Sequence, residues 1–280
     1  MQVATVDYRS PHAARDFTRS LVETGFAVLK NHPISQELIR EIFLDWENFF
    51  ASDEKFQFKF DPQKQSGYFP FRSENAKDYS IKDLKEFFHV YPKTELPEST
   101  RDHTWRFFHD VTGLATELLK WLDIETPAAI RSHFSMPLGQ MIEGSEETLL
   151  RPIHYPPMTG SEEEGAIRAA AHEDINLITL LPAATSPGLQ VKDTHGNWHD
   201  VSCDPGSIAI NAGDMLQMAS RGYYPSTTHR VINPIGPESR LPRYSMPLFL
   251  HPRKDISLSE KYTAGSYLRE RLEQIGLIKK

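Results

Sequence analysis

The stretch HEDINLITLLP, residues 172–182, joins ionisable side chains to a strand-like apolar segment. Side chains at positions i and i+2 of a β-strand point to the same face, so we expect His172 and Asp174 to lie together and Glu173 to point away. The apolar segment 175–182, which ends at a proline, is typical of a buried strand. The stretch therefore predicts a strand that opens with one imidazole nitrogen and one carboxylate oxygen directed into the same space.

Short strand-like segments surround this stretch from about residue 147 to residue 252. They are rich in Ile, Leu, Val and Tyr and are separated by Pro, Gly, Asn and Asp, a pattern typical of strands joined by turns. GLQVKDTHGNWHDVS predicts a hairpin with Gly196 and Asn197 at its turn. Besides 175–182, the expected strands lie within segments 149–157, 188–193, 198–202, 207–219, 228–234 and 243–252. Many short strands at close spacing predict a jelly roll or a barrel.

The first 145 residues or so predict a mixed but mainly helical region. Apolar residues recur at helical spacing after the first short strand, and Ser35 is placed to cap a following helix. The expected elements are strands at 3–6 and 26–29 and helices at 11–24, 35–50, 107–122 and 127–141. A last helix at 262–274 is expected to pack on the outside.

The expected architecture is α+β, in one compact unit. A mainly helical region at 1–145 precedes a β core at 146–255, and a C-terminal helix within 256–280 packs on that core. The 280 residues, of which 39% are hydrophobic and 25% charged, are sufficient to bury one large core.

Composition argues against several classes of function. Lys and Arg total 31 against 38 Asp and Glu, a net charge of −7, so the chain lacks the broad basic face typical of nucleic-acid-binding proteins. Cys203 is the only cysteine, which excludes an internal disulfide and a cysteine-rich zinc site. The sequence has no run of 18 or more apolar residues and opens with charged residues, so we expect a cytoplasmic protein that does not span a membrane.

His229, at the start of the strand-like segment THRVINP, adds a third possible metal ligand. Two histidines and one carboxylate form the facial triad of non-haem iron(II) oxygenases, which leaves coordination positions open for oxidant and substrate. A structural zinc site would favour four protein ligands, usually with cysteine among them. A His-x-Asp pair alone also arises by chance in a chain with 12 histidines and 38 acidic residues. His172, Asp174 and His229 are therefore candidate iron(II) ligands that need further support.

Arg243 and Ser245, in the segment RYSMPLFLHP, supply that support. Their i, i+2 spacing predicts one shared face, where a guanidinium beside a hydroxyl suits bidentate binding of a carboxylate. An arginine inside an apolar strand needs an anionic partner, because burying an unpaired charge is costly. Tyr155 either adds a further hydroxyl to this site or packs in the core.

Another group of possible metal ligands surrounds the predicted hairpin turn. His195 and His199 are four residues apart, with Asp193 close by. Histidines at i and i+4 converge on a helix, whereas Gly196 and Asn197 predict a turn. We therefore expect a solvated turn here.

The segments HEDINLITLLP, GLQV, HGNWHDV, NAGDMLQ, YPSTTHRVINP and RYSMPLFLHP together resemble the iron(II)- and 2-oxoglutarate-dependent oxygenases of the isopenicillin N synthase-like family. ATVDY, GFAVLKNHPIS, GYFPF and KEFFHVYP resemble the N-terminal region of the same family, in the same order. The resemblance thus covers most of the chain. It implies a double-stranded β-helix, which is a jelly roll, that holds iron in its mouth and is flanked by α-helices.

The resemblance also implies a role for individual residues. Those that match the family's motifs are the iron ligands His172, Asp174 and His229 and the 2-oxoglutarate-binding residues Arg243, Ser245 and Tyr155. Ile153 stands where many plant members have asparagine, which removes one possible polar contact. Isopenicillin N synthase itself keeps the Arg-x-Ser pair without using 2-oxoglutarate, so the pair does not by itself decide the co-substrate.

The expected function is that of a non-haem iron(II) dioxygenase, an oxidoreductase. It would couple oxidative decarboxylation of 2-oxoglutarate to hydroxylation, desaturation or cyclisation of a small molecule, with dioxygen as the oxidant. One alternative is an iron(II) oxidase of the isopenicillin N synthase type, in which Arg243 binds the substrate's own carboxylate. The other is a non-catalytic ligand-binding jelly roll, which has no need of open coordination positions.

Overall fold

The computed structural model describes residues 1–75, 80–274 and 276–278. The strands in chain order are β1 (Thr5–Asp7), β2 (Phe26–Lys30), β3 (Gly67–Phe69), β4 (Glu86–His89), β5 (Leu149–Leu150), β6 (Ile153–Tyr155), β7 (Ala169–His172), β8 (Ile178–Pro182), β9 (Leu189–Lys192), β10 (Trp198–Asp200), β11 (Ile208–Ala212), β12 (His229–Val231), β13 (Arg243–Ser245) and β14 (Leu248–Leu250). The helices are α1 (Ala13–Thr24), α2 (Gln36–Ala51), α3 (Glu98–Glu125), α4 (Ala128–Arg131), α5 (Leu138–Met141), α6 (Asp214–Ala219) and α7 (Ala264–Gln274).

These strands form three sheets in which strands distant in sequence are neighbours. The largest sheet has the order β1-β2-β11-β8-β14-β5, the second has the order β10-β9-β12-β7, and the third has the order β13-β6-β4-β3. Strands β1 and β2 pair in parallel, and the other pairs among the described strands are antiparallel. The protein therefore has the expected mixture of helices and antiparallel sheets, and strands from its first 145 residues join two of those sheets.

Several local predictions are confirmed. Strands β9 and β10 form the predicted hairpin, with Trp198 opposite Lys192, and Gly196 at its turn has a φ of +87°. Ser35 caps α2, because its hydroxyl accepts a hydrogen bond of 3.3 Å from the backbone N–H of Leu38. Helix α7 lies at the surface as expected, with Ala264 as its one buried residue in the described part of the chain.

Several predicted elements are wrong in extent, among them the helix predicted at 107–122, which spans Glu98–Glu125. The single helix expected at 127–141 is two short helices: α4 ends at Arg131, and α5 begins directly after Pro137, which lacks the N–H that a continuous helix needs. Segment 207–219 is a strand only as far as β11, and its second half is the helix α6. The chain turns at Gly213, where a Cβ atom would collide with the backbone oxygen of Asn176.

Helix α3 positions the largest sheet by packing behind β8 and β14. One face of α3 is buried. Its apolar residues recur at helical spacing and include Phe107, Val111, Leu114, Leu118 and Leu122. Alternate residues of β8 point to opposite faces, so Ile178 and Leu180 join the core that contains α3, whereas Thr179 and Leu181 line a cavity on the other face. Thr179, a polar residue of a central strand, therefore faces this internal cavity and not the apolar core.

No helix in the parts of the chain that the structure describes is both long and apolar enough to cross a lipid bilayer.

Candidate metal and co-substrate site

The side chains of His172, Asp174 and His229 converge at one end of this cavity. The Nε2 atoms of His172 and His229 lie 3.9 Å and 3.7 Å from Oδ1 of Asp174. One ligand atom from each residue can be chosen so that all three lie within 4.8 Å of one another. Among the described residues, this is the one group of three or more His, Cys, Asp or Glu side chains with such spacing. The expected convergence is therefore present.

The expected strand position of the His-x-Asp pair is wrong. His172 is the last residue of β7, Asp174 lies in the connection that follows, and the next strand, β8, begins only at Ile178. His229 opens β12 as expected and pairs directly with His172 across the second sheet. Asp174 therefore reaches the two imidazoles from the connection between β7 and β8 and not from within a strand.

Backbone carbonyls determine which nitrogen of each imidazole is free. Nδ1 of His172 lies 2.7 Å from the carbonyl oxygen of Ala170, and Nδ1 of His229 lies 3.1 Å from that of Thr227. Because a carbonyl can only accept a hydrogen bond, each Nδ1 carries the proton that it donates. Both Nε2 atoms keep a lone pair and face Asp174, which is the arrangement that metal-ligating histidines adopt.

The carboxylate of Asp174 is oriented by two side chains that our sequence analysis did not identify. Its Oδ2 accepts hydrogen bonds of 2.5 Å from the hydroxyl of Thr179 on β8 and 2.8 Å from the amide of Asn211 on β11. These bonds leave Oδ1 directed toward the imidazoles. A threonine and an asparagine inside otherwise apolar strands are the signal that could have revealed them, because buried polar groups need partners.

The electrostatics favour a metal-binding form of these residues. Burial, reinforced by His229 and opposed by Asp174, lowers the pKa of His172 to about 4. Burial by itself would raise the pKa of Asp174, but His229, His172 and the hydrogen bonds to its Oδ2 lower it. Imidazole nitrogens and an ionised carboxylate are the donor set that iron(II) takes in a facial triad, so the residues present fit that ion.

The strand β13 places an arginine at the other end of the same cavity. Arg243 pairs with Tyr155 of β6 in register, and the guanidinium carbon lies 5.2 Å from the centre of the Tyr155 ring. Ser245, two residues along β13, also lines the cavity, as expected from the shared face. Arg243 is 2% exposed, and its Nε–H donates to the carbonyl of Ser186 at 2.9 Å. Tyr155 both packs in an apolar cluster and borders the cavity.

Arg243 has no carboxylate partner among the residues that the structure describes, and its Nη1 has no hydrogen-bond partner there. A second buried guanidinium, that of Arg168, lies 5.9 Å from the centre of the same Tyr155 ring. Arg168 is 1% exposed, and burial together with Arg243 lowers its pKa to about 10. Two buried cations beside one ring indicate an anion-binding site, because unpaired buried charge is costly. Sequence analysis missed Arg168.

The other possible ligand cluster lies in the hairpin turn between β9 and β10. Nε2 of His199 bonds to Asp193 at 2.7 Å, and the same carboxylate accepts hydrogen bonds from the backbone of His195 and Asn197. These contacts close the hairpin turn between β9 and β10. The expectation of a solvated turn is confirmed.

Two family models match the chain. The 2OG-Fe(II) oxygenase superfamily matches residues 146–252, and the N-terminal model of the non-haem dioxygenases in morphine synthesis matches residues 4–110. The 2-oxoglutarate-dependent dioxygenase citB of Monascus ruber is 27% identical over 271 residues, which cover 87% of this chain and 79% of that protein.

Solved structures show the same likeness. A crystal structure from Shewanella oneidensis, of a protein provisionally named an oxygenase, superimposes with a TM-score of 0.90 at 52% identity and covers 99% of this chain and 100% of that one. A full-length protein of Neurospora crassa, solved in complex with alpha-KG, has a TM-score of 0.80 at 22% identity and covers 96% of this chain and 94% of that one. At that identity the second likeness concerns the fold.

Proposed function

The chain belongs to the 2OG-Fe(II) oxygenase superfamily, and we propose that its catalytic centre is the cavity between the histidine pair and Arg243. The protein is an oxidoreductase, a non-haem iron(II) dioxygenase that uses 2-oxoglutarate as co-substrate. It couples oxidative decarboxylation of 2-oxoglutarate to hydroxylation, desaturation or cyclisation of a small molecule. We propose the following roles for individual side chains in these steps.

The iron ligands in this proposal are Nε2 of His172, Oδ1 of Asp174 and Nε2 of His229. The supporting observation is that hydrogen bonds to the opposite atom of each side chain aim these three atoms at one point. Iron(II) held by His172, Asp174 and His229 would supply the redox chemistry at this site. The protein's own part is to orient the ligands before metal arrives, which lowers the cost of binding.

Arg243 holds the distal carboxylate of 2-oxoglutarate in this proposal, with Ser245 and Tyr155 beside it. The observation that carries the assignment is the buried guanidinium whose Nη1 has no partner in the described chain, in the same cavity as the triad. The bond from its Nε to Ser186 fixes the plane of the guanidinium, Tyr155 bonds to the same side chain, and Nη1 is left for the ligand. Apolar side chains such as Leu181 and Leu189 line the cavity between the triad and Arg243 and exclude water from it.

We propose the jelly roll expected from the sequence as the finer description of this fold. The sheet β10-β9-β12-β7 and the central strands of β11-β8-β14 are antiparallel and share the cavity, which supports a double-stranded β-helix within residues 146–255. Strands β1 and β2 extend one of these sheets, so the region 1–145 is built onto the core rather than separate from it.

The proposed co-substrate site is tested by calorimetric titration of 2-oxoglutarate into the anaerobic iron(II) protein. Arg243→Met should weaken binding by about 10- to 100-fold, because a charge-assisted hydrogen bond contributes about 1.5–3 kcal/mol. Arg240→Met, at an exposed arginine just before β13, is the matched control and should bind as the wild type does. Unchanged affinity in Arg243→Met would contradict the assignment. Succinate formed for each dioxygen consumed by the wild type separates this enzyme from an oxidase that needs no 2-oxoglutarate.

A further inference from the structure

A second cavity, of about 140 Å³, meets the candidate metal site from another direction. It shares Lys85, Arg151, His172, Asp174 and Phe249 with the first cavity but is not bordered by Arg243. One part of its wall is apolar and includes Leu149, Ile175, Leu268 and Leu272. The rest of the wall is formed largely by ionisable side chains of β4, of the segment that leads into β4 and of α7. These side chains determine what the cavity can bind.

The charges in this wall neutralise one another. Nζ of Lys85 lies 2.8 Å from a carboxylate oxygen of Glu74 and 2.9 Å from one of Asp83. Nη1 of Arg151 lies 3.4 Å from the same oxygen of Glu74. Burial opposes the charge of both partners, yet Glu74 and Asp83 raise the pKa of Lys85, while Lys85 and Arg151 lower that of Glu74. The positive charges of Lys85 and Arg151 are thus balanced by the negative charges of Glu74 and Asp83.

The other charged side chains of this wall do not make it positively charged. Arg271, on α7, has Asp214 at 3.9 Å, and Glu173 borders the same cavity with the hydroxyl of Thr228 as its donor. Apart from the metal ion itself, an anionic ligand would find no side-chain cation in this wall without a carboxylate close by, so its desolvation cost would be poorly offset. The wall favours an uncharged ligand.

Three nitrogens of this wall have no hydrogen-bond partner in the described parts of the chain: Nε2 of His89, Nε of Arg151 and Nε of Arg271. His89 is 2% exposed, and its Nδ1 donates to the carbonyl of Gln65 at 3.2 Å. Burial and the adjacent charge of Arg151 hold the pKa of His89 well below its usual value, so its Nε2 is an acceptor. The two arginine nitrogens can only donate.

Arg151 is held rigidly for such a role. Its guanidinium carbon lies 4.8 Å from the ring centre of Phe87 and 5.4 Å from that of Phe249, so two rings enclose it. A donor and an acceptor that line the same cavity recognise a ligand that offers the opposite pair of groups, because an unmatched buried polar atom costs binding free energy.

We propose that this cavity binds the molecule that the enzyme oxidises, and that this substrate is an uncharged cyclic amide or a close equivalent. Its N–H donates to Nε2 of His89, its carbonyl accepts from Arg151 or Arg271, and its ring packs on the apolar wall. The proposal rests on the proposed function, since it assigns the substrate side of the same metal centre.

Three probes of equal ring size test the proposal by ligand-observed NMR, with the protein loaded with 2-oxoglutarate and redox-silent Zn(II). δ-Valerolactam offers the donor and the acceptor, N-methyl-δ-valerolactam lacks the donor, and cyclohexanecarboxylate is an anion. The lactam should bind about tenfold more tightly than either of the others, since each of them leaves a buried polar group unmatched. Equal binding of the N-methyl compound, stronger binding of the carboxylate or binding of none of the three would overturn the proposal.

Two variants locate the recognition. His89→Phe keeps an aromatic ring in the cluster with Phe69 and Phe87 and should abolish the preference for the lactam over its N-methyl form. Arg271→Met, on the surface helix α7, should weaken lactam binding, whereas Arg269→Met on the same helix, with a side chain 70% exposed, should not. Each variant should keep the wild-type affinity for 2-oxoglutarate. If the wild type did not bind 2-oxoglutarate, the proposed function would be contradicted. The preference for the lactam is measured independently of that result.

Discussion

The imidazoles of His172 and His229 are cross-strand neighbours, with ring centres 4.4 Å apart and Cα atoms paired between β7 and β12. The register of this strand pair shifts between His229 and Val231, which is the mark of a bulge or irregularity. Such irregularities re-aim side chains and are frequent beside active sites. The two rings thus belong to one sheet, and Asp174 reaches them from the turn at its end.

Removal of one imidazole tests the proposed metal centre. His229→Ala should weaken iron(II) binding by more than about 100-fold, since changes to groups that only orient ligands already cost 10- to 100-fold. Anaerobic metal titration measures the affinity. His199→Ala is the matched control, because that histidine bonds to Asp193 in the hairpin turn. Retained affinity in His229→Ala would rule out this residue as a ligand.

The hydrogen bond from Thr179 to Asp174 provides a second test of the metal centre. Thr179→Val keeps the side-chain volume and removes the donor, so iron(II) affinity should fall by about 10- to 100-fold. Thr116→Val removes a hydroxyl that donates to the carbonyl of Thr112 on α3, and it should leave the affinity unchanged. An equal effect of the two substitutions on metal binding would show that Thr179 has no special part in it.

The buried, unpaired guanidinium of Arg243 should make the stability of the protein depend on its ligand. Replacing a buried charge that has no carboxylate partner by an apolar side chain removes its desolvation cost, so Arg243→Met without 2-oxoglutarate should unfold at a temperature no lower than the wild type. With 2-oxoglutarate at about 100 times its Kd, the wild type should gain about 2.7 kcal/mol and the variant almost nothing. Thermal unfolding with and without the ligand measures both effects. A marked loss of stability in the ligand-free variant would show that Arg243 is structural.

His251 should make the protein sensitive to mild acid. Burial is the main cause that lowers the pKa of His251 to about 4, against 6.5 in an unfolded chain. Between these values the unfolded state binds more protons, so the free energy of unfolding should fall as the pH drops below about 6.5. The slope for one site approaches 1.36 kcal/mol per pH unit. Chemical denaturation between pH 7 and pH 5 should show a smaller slope for His251→Asn, and the wild-type slope for His12→Asn at the exposed surface.

Two glycines should respond to alanine in opposite ways. A Cβ at Gly213 would collide with the backbone and the side chain of Asn176, so Gly213→Ala should destabilise the protein by about 2 kcal/mol or more. Gly113 lies within α3 with open space around it, and Gly113→Ala should stabilise the protein by about 0.5–1 kcal/mol. Urea denaturation compares the two variants. A neutral Gly213→Ala would mean that the turn from β11 into α6 adapts freely.

The sequence by itself predicted which residues form the candidate site. The histidines and the aspartate, the Arg-x-Ser pair and the short strands follow from residue type and spacing, which local physics and chain order encode. The break at Pro137 and the helix after Gly213 were missed because apolar spacing alone does not mark where an element ends.

Only the tertiary structure decided how these residues are held. Thr179 and Asn211 orient Asp174 from two other strands, Arg168 joins Arg243 at Tyr155, and Arg151 is enclosed by two rings. Each of these contacts depends on sheet order and register between segments far apart in the chain. That register is determined by which faces the core buries, and a local pattern does not contain it.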